Sequence, residues 1–150
     1  MTETARPYPA QILNAQSAQR VFRDQHLLQI ALPVGGIGAG TICINGHGGL
    51  QDFSIHHKPN TSAMPDGHGT NHAAFALIHF PGTGITRLVE GPYPKEAIYN
   101  QGLKSQGLRN GGQEGFPRLR QCSFTGEYPF GSVSLSDSAI PLAINITAYN

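Results

Sequence analysis

Beyond Gly40 the chain alternates apolar and polar residues with a period of two, the spacing of a strand with one face on a core and the other in water. Thr41 to Ile44, Asp52 to Ile55, Phe75 to Phe80, Thr86 to Val89, Leu119 to Phe124, Ser132 to Leu135 and Leu142 to Tyr149 all read as strands bounded by Gly, Pro and Asn. In the last run Leu142, Ile144, Ile146 and Ala148 share one face, with Ala143, Asn145 and Thr147 opposite. Asn45-Gly46 and Gly48-Gly49 supply left-handed turn positions, so Ile37 to Ile44 and Leu50 to His57 are predicted to form a hairpin.

Two stretches break the pattern. Between Pro9 and Leu32 the apolar positions fit a helix only in part, and the segment is predicted to be irregular with at most one helical piece. Gly91 to Gly115 carries almost no period of two and reads as a long loop. No repeat at a solenoid period occurs. Short strands joined by turn chemistry, without alternating helices, predict an all-β antiparallel sandwich. An amphipathic strand at Leu142 to Tyr149 needs neighbours to cover its apolar face and its edge, so the chain is expected to be an incomplete part of a larger sandwich domain.

Composition narrows the partners. The 150 residues include 19 Gly and 11 Pro, consistent with many turns, and a formal net charge of +1 with no basic block gives no footprint for nucleic acid or anionic lipid. Neither a signal-peptide core near Met1 nor an apolar run long enough to span a membrane is present, so a soluble, cytoplasmic protein without a transmembrane segment is expected. Cys43 and Cys122 each lie in an apolar run and are expected to be reduced structural thiols.

Chemistry-bearing motifs are thin. Gly35-Gly36-Ile37-Gly38-Ala39-Gly40 does not have the spacing of a dinucleotide-binding turn and is followed by a strand rather than a helix, so a structural role is expected. His47, His56, His57, His68 and His72 cluster with Asp52 and Asp66, and His68 and His72 have the spacing of two ligands on one helical face. Gly67, Gly69, Thr70 and Asn71 are poor helix formers, however, and loop or surface histidines are the stronger expectation, with no metal and no cofactor. None of Ser54, Ser62, Ser123 or the serines from Ser132 to Ser138 has the flanking glycines of a nucleophile elbow. The carboxylates Asp24, Asp52, Asp66, Glu90, Glu96, Glu114, Glu127 and Asp137 are scattered singly, so no catalytic pair is assigned. The sequons at Asn60 and Asn145 are read as chance in a chain with no export signal.

Two longer stretches carry a resemblance. Ala31 to Asn60 (ALPVGGIGAGTICINGHGGLQDFSIHHKPN) is similar to the amino-terminal domain of glycoside hydrolase family 116, the family of bile-acid β-glucosidase or non-lysosomal glucosylceramidase. Pro33, Gly35, Gly36, Ile37, Gly38, Gly40, Thr41, Asp52, Phe53, Ile55, Pro59 and Asn60 carry that similarity. Cys122 to Asn150 resembles the later S-F-x-G-E-[YF]-P motif of the same domain and the strand pair after it, and Asn71 to Phe80 resembles the strand between. The resemblance implies a β-sandwich that packs on a carboxy-terminal (α/α)6 barrel, with the catalytic carboxylates of a retaining mechanism in that barrel. It therefore places no catalytic residue on this chain, and Glu127 is expected to be structural despite lying in a family motif. The implied partner is the helical barrel, and the implied substrate of the whole enzyme is a β-glucoside or glycolipid. A separate binding module for carbohydrate or protein is the alternative from another class; a metal-dependent hydrolase rests on the histidines alone.

Overall fold

A computed structural model describes residues 9–14, 19–38, 40–55, 74–94 and 116–150. The elements in chain order are α1 (Ala10–Leu13), β1 (Arg20–Phe22), a 3-10 turn (Asp24–Leu27), β2 (Ala31–Val34), β3 (Thr41–Asn45), β4 (Leu50–Ser54), β5 (Leu77–Phe80), β6 (Ile85–Leu88), β7 (Gln121–Glu127), β8 (Phe130–Ser136) and β9 (Ala143–Tyr149). The strands form a four-stranded sheet in the order β1-β7-β8-β9, a three-stranded sheet β2-β3-β4 and a hairpin β5-β6. Every strand pair is antiparallel, giving a predominantly β, sandwich-like architecture.

The core draws on both larger sheets. Ile44 comes from the three-stranded sheet and Phe124, Val133 and Leu135 from the four-stranded one; Leu27, Leu119 and Ile140 close it from connecting segments. In β9 the exposed and half-buried positions alternate without a break, with Ile144, Ile146 and Ala148 packed against this core. The predicted inward face of the last strand is therefore the observed one, except that Leu142 lies before the strand and stays exposed.

The predicted hairpin is β3-β4, with Ile44 opposite Leu50 and the turn at Asn45 to Gly49. Its first strand starts at Thr41, not Ile37, because Gly38 and Gly40 adopt φ of +86° and +80° and Ile37 is left at the loop tip in solvent. A Cβ at Gly40 would meet the Ser54 carbonyl oxygen at 2.9 Å, so the glycine run lets this loop pass close to β4. The register slips between Thr41 and Cys43, opposite Asp52, which takes a left-handed φ of 59°. Such a conformation in a strand is the mark of a bulge, and Asp tolerates it better than most side chains.

The segment from Pro9 to Leu32 is more ordered than its pattern predicts. Beside the one short helix, Arg20–Phe22 pairs with β7 and Ala31–Val34 pairs with β3. Both are short edge strands, whose side chains need not keep a strict alternation to be held by a neighbour's ladder. Pro33 is compatible with β2 for the same reason, since an edge strand can spare one N–H. Of the long Gly91 to Gly115 segment, Gly91 to Pro94 is irregular as expected; residues 95–115 lie outside the described residues.

The small hairpin is tied to the rest by charge. Arg87 on β6 donates from Nε to Asp137 Oδ2 at 2.8 Å, and Asp137 Oδ1 accepts the Ala139 N–H at 2.9 Å in the turn after β8. These contacts, the backbone N–H first and then the Arg87 guanidinium, hold the Asp137 carboxyl below its ordinary value.

Candidate functional site

The β3-β4 turn builds the most chemically dense region of the described chain. Asn45 Oδ1 accepts the N–H groups of His47 and Gly49, each at 3.0 Å, closing an Asx-type turn that folds His47 back underneath the sheet. Asn45 Nδ2 donates to the Tyr93 hydroxyl at 3.0 Å, and the His47 and Tyr93 rings stack with centroids 3.8 Å apart. The chain then returns beside it: Gly91 N–H donates to the His47 carbonyl at 2.8 Å, and Leu119 N–H to the Glu90 carbonyl at 3.1 Å. Arg118 donates from Nε to Glu90 Oε2 at 3.2 Å while its guanidinium carbon lies 5.0 Å from the Tyr93 ring centre.

Close backbone approach makes this packing work. A Cβ on Gly91 would fall 2.3 Å from the Cys122 Cβ and 2.6 Å from its Sγ, so the residue after Glu90 has to be glycine for β7 to come in. At Gly49 a Cβ would meet Glu90 Oε1 at 2.8 Å.

Burial sets the protonation of the cluster. His47 and Glu90 are 1% and 2% exposed. Desolvation, aided by the Arg118 charge, pushes the His47 imidazole down to about 4, although the nearby Pro92 carbonyl works the other way. Desolvation pushes the Glu90 carboxyl up to about 7 against the pull of Arg118. Among the described residues neither His47 ring nitrogen nor Glu90 Oε1 has a hydrogen-bond partner in good geometry. Burial likewise raises the Tyr93 hydroxyl, and raises the thiols of Cys43 and Cys122 to about 11 and about 12. Both cysteines are free, and with raised thiols both behave as structural residues; Cys122 donates weakly to the Gly46 carbonyl at 3.4 Å.

Next to this cluster an open cleft of about 810 Å³ lies against the four-stranded sheet. Tyr93 and Cys122 belong to both, forming part of the cleft wall above His47. His47 and Glu90 do not line the cleft, so neither can touch a ligand bound there.

The residues singled out by sequence are spread apart. Among the described carboxylates only Asp24 lines the cleft; Asp52 accepts from Gln51 on β4, Glu127 accepts from Gln19 at the sheet edge, and Asp137 is buried against Arg87. No two described carboxylates face each other across the cleft, and no group of three or more metal-ligating side chains comes together among the described residues. His47 is a correction: it is a core histidine, not a surface one, because the Asx turn and Gly91 let the ring be covered. His56, His57, His68, His72, Asp66, Glu96, Glu114 and the Asn60 sequon lie outside the described residues. Asn145 is on the outer face of β9 and accepts a hydrogen bond from Ser134. The cluster of Asn45, His47, Glu90, Tyr93 and Arg118 was not singled out from sequence; its only local signal is glycine beside each buried titratable group, Gly46 and Gly48 around His47 and Gly91 after Glu90.

A family model described as beta-glucosidase 2, glycosyl-hydrolase family 116 N-term, matches residues 31–150. The chain belongs to glycosyl-hydrolase family 116. The family 116 match takes in β2 to β9 and leaves β1 outside, although β1 completes the four-stranded sheet by pairing with β7. A search of curated proteins found no match. Several positions of the family 116 resemblance now have structural duties: Pro33 on the edge strand, Gly38 and Gly40 in the left-handed loop, Asp52 at the bulge, and Glu127 at the end of β7. No helix among the described residues is long and apolar enough to cross a membrane.

Proposed function

We propose that the chain is the non-catalytic amino-terminal sandwich portion of a retaining β-glucosidase or glucosylceramidase-like enzyme, and that it supports a helical catalytic domain carried outside these residues. The observation that carries this is the family match over residues 31–150, joined to the placement of the carboxylates: Asp24 is alone in the cleft among those described, and Glu90 is sealed from it. Retaining hydrolysis needs two carboxyl groups about 5–5.5 Å apart on either side of the scissile bond. The buried cluster then serves to lock the β3-β4 turn, Gly91 to Tyr93 and Arg118 into one rigid unit. The β-glucoside or glycolipid belongs to the barrel of the complete enzyme.

Assaying the purified 150-residue chain against an aryl β-glucoside tests the assignment. Release of aglycone should not exceed the buffer rate. Turnover that is abolished by Asp24→Asn or Glu90→Gln would overturn it.

A further inference from the structure

The outer face of the four-stranded sheet is a graded surface. Register places Gln121, Ser136 and Ala143 in one row across β7, β8 and β9, followed by Ser123, Ser134 and Asn145, then Thr125, Ser132 and Thr147, and last Glu127, Phe130 and Tyr149. The residues between them, Phe124, Val133, Leu135, Ile144 and Ile146, point to the core. At about 3.4 Å per residue the four rows span roughly 20 Å. On β7 to β9 the first three rows carry uncharged side chains and so make a neutral strip, with the exposed Val21 of β1 beside Thr125 at its edge.

Hydrogen bonds orient its polar groups. Ser134 Oγ donates to Asn145 Oδ1 at 2.9 Å, and Ser136 Oγ donates to Gln121 Oε1 at 2.8 Å. Each hydroxyl spends its one proton on an amide carbonyl, which leaves the amide –NH2 donors and the hydroxyl lone pairs for a ligand. The cleft of about 810 Å³ stands over the first two rows, walled by Pro92 to Pro94 and by Arg23 to Gln25. Its charged lining is Arg23, Asp24 and Arg120; Arg120 lies 3.6 Å from Asp137 Oδ1, the carboxylate whose Oδ2 accepts from Arg87. At the other end Phe130 and Tyr149 are 52% and 67% exposed with ring centres 6.4 Å apart.

We propose that this face binds a neutral, extended oligosaccharide, with one end in the cleft on the Gln121 and Asn145 rows and the other against Phe130 and Tyr149. A sugar chain presents hydroxyls that both donate and accept, and C–H faces that pack on aromatic rings, the two chemistries offered at the two ends of the strip. The first three rows hold no charged side chain for a charged ligand to pair with. A protein partner is disfavoured by the layout, since protein interfaces bury aromatic and apolar residues at the centre inside a polar rim; here the centre is polar and the aromatics are at the margin. The site requires no catalytic domain, so its failure would leave the family assignment untouched.

Titrating the isotope-labelled 150-residue chain with cellotetraose, whose β-1,4 linkages give a flat ribbon, and in parallel with helical maltotetraose, tests this by amide chemical-shift mapping. Cellotetraose should shift amides of Gln121 to Thr125, Ser132 to Ser136 and Asn145 to Tyr149 saturably. Asn145→Ala should weaken it about five- to tenfold, the loss of one net hydrogen bond. Tyr149→Ala should weaken cellotetraose binding but leave cellobiose, too short to reach the aromatic pair, unchanged. Both substituted residues are exposed, and unchanged far-ultraviolet circular dichroism checks their fold. No saturable shift, equal shifts with maltotetraose, shifts mapping elsewhere, or full affinity in Asn145→Ala each overturns the proposal. Sugar-independent self-association lost in Tyr149→Ala would instead assign the face to a second copy of the chain and overturn it as well.

Discussion

Glu90 and His47 impose opposite pH dependences on the same buried cluster, and separating them tests its electrostatics. The Glu90 carboxyl is raised from 4.5 to about 7 in the fold. Between those values the native state holds a proton that the unfolded chain has released, so this contribution to stability is full below pH 4.5 and is lost as pH rises to about 7. The His47 imidazole is lowered from 6.5 to about 4, so its contribution is full above pH 6.5 and is lost as pH falls towards 4. At about 1.4 kcal/mol per pH unit, each contribution amounts to roughly 3 kcal/mol. Between pH 4.5 and pH 6.5 the two slopes cancel, and the protein with both residues shows little pH dependence from this cluster.

Substituting either residue exposes the other. Glu90→Gln keeps the shape and removes the proton exchange, so its stability relative to the unsubstituted protein should rise by about 3 kcal/mol as pH goes from 4.5 to about 7. His47→Phe keeps a ring against Tyr93 and should give a relative stability that rises by a similar amount as pH falls from 6.5 to about 4. Urea unfolding followed by circular dichroism at several pH values reads both difference curves, and taking differences cancels Asp137 and the other carboxylates. A Glu90→Gln curve that is flat from pH 4.5 to 7 would refute the reasoning: it would mean that the Arg118 ion pair at 3.2 Å outweighs burial and that Glu90 is ionised in the fold.

Gly91→Ala should destabilise the protein by at least about 1–3 kcal/mol, because its Cβ would lie 2.3 Å from the Cys122 Cβ and β7 or the Gly91 backbone has to shift; thermal unfolding measures it. Cys43 and Cys122 should react with an aromatic disulfide reagent far more slowly in the native protein than in urea at pH 8, since burial raises both thiols to about 11 and 12; equal rates would show that one is open to solvent.

Alternation and turn residues determined much of the fold directly. Ile144, Ile146 and Ala148 face the core, and Asn45 to Gly49 turns between two paired strands, because a period of two and a glycine-rich turn are local properties of the chain. The family, too, was legible, in runs such as Gly35 to Thr41, whose glycines occupy loop and turn positions, and Ser123 to Pro129, which runs from β7 into the turn at Tyr128 and Pro129. Other features depend on partners distant in sequence. Arg20–Phe22 and Ala31–Val34 are strands only because β7 and β3 offer edges to pair with, and short edge strands carry too few residues to show a period. The proposed sugar-binding face follows the same rule: Ser134 beside Asn145, and Ser136 beside Gln121, are cross-strand neighbours that register alone brings together. Only the tertiary structure could set the chemistry of His47 and Glu90, because their protonation comes from removal of water, and water is removed by Gly91, Tyr93, Arg118 and Leu27 arriving from elsewhere in the chain.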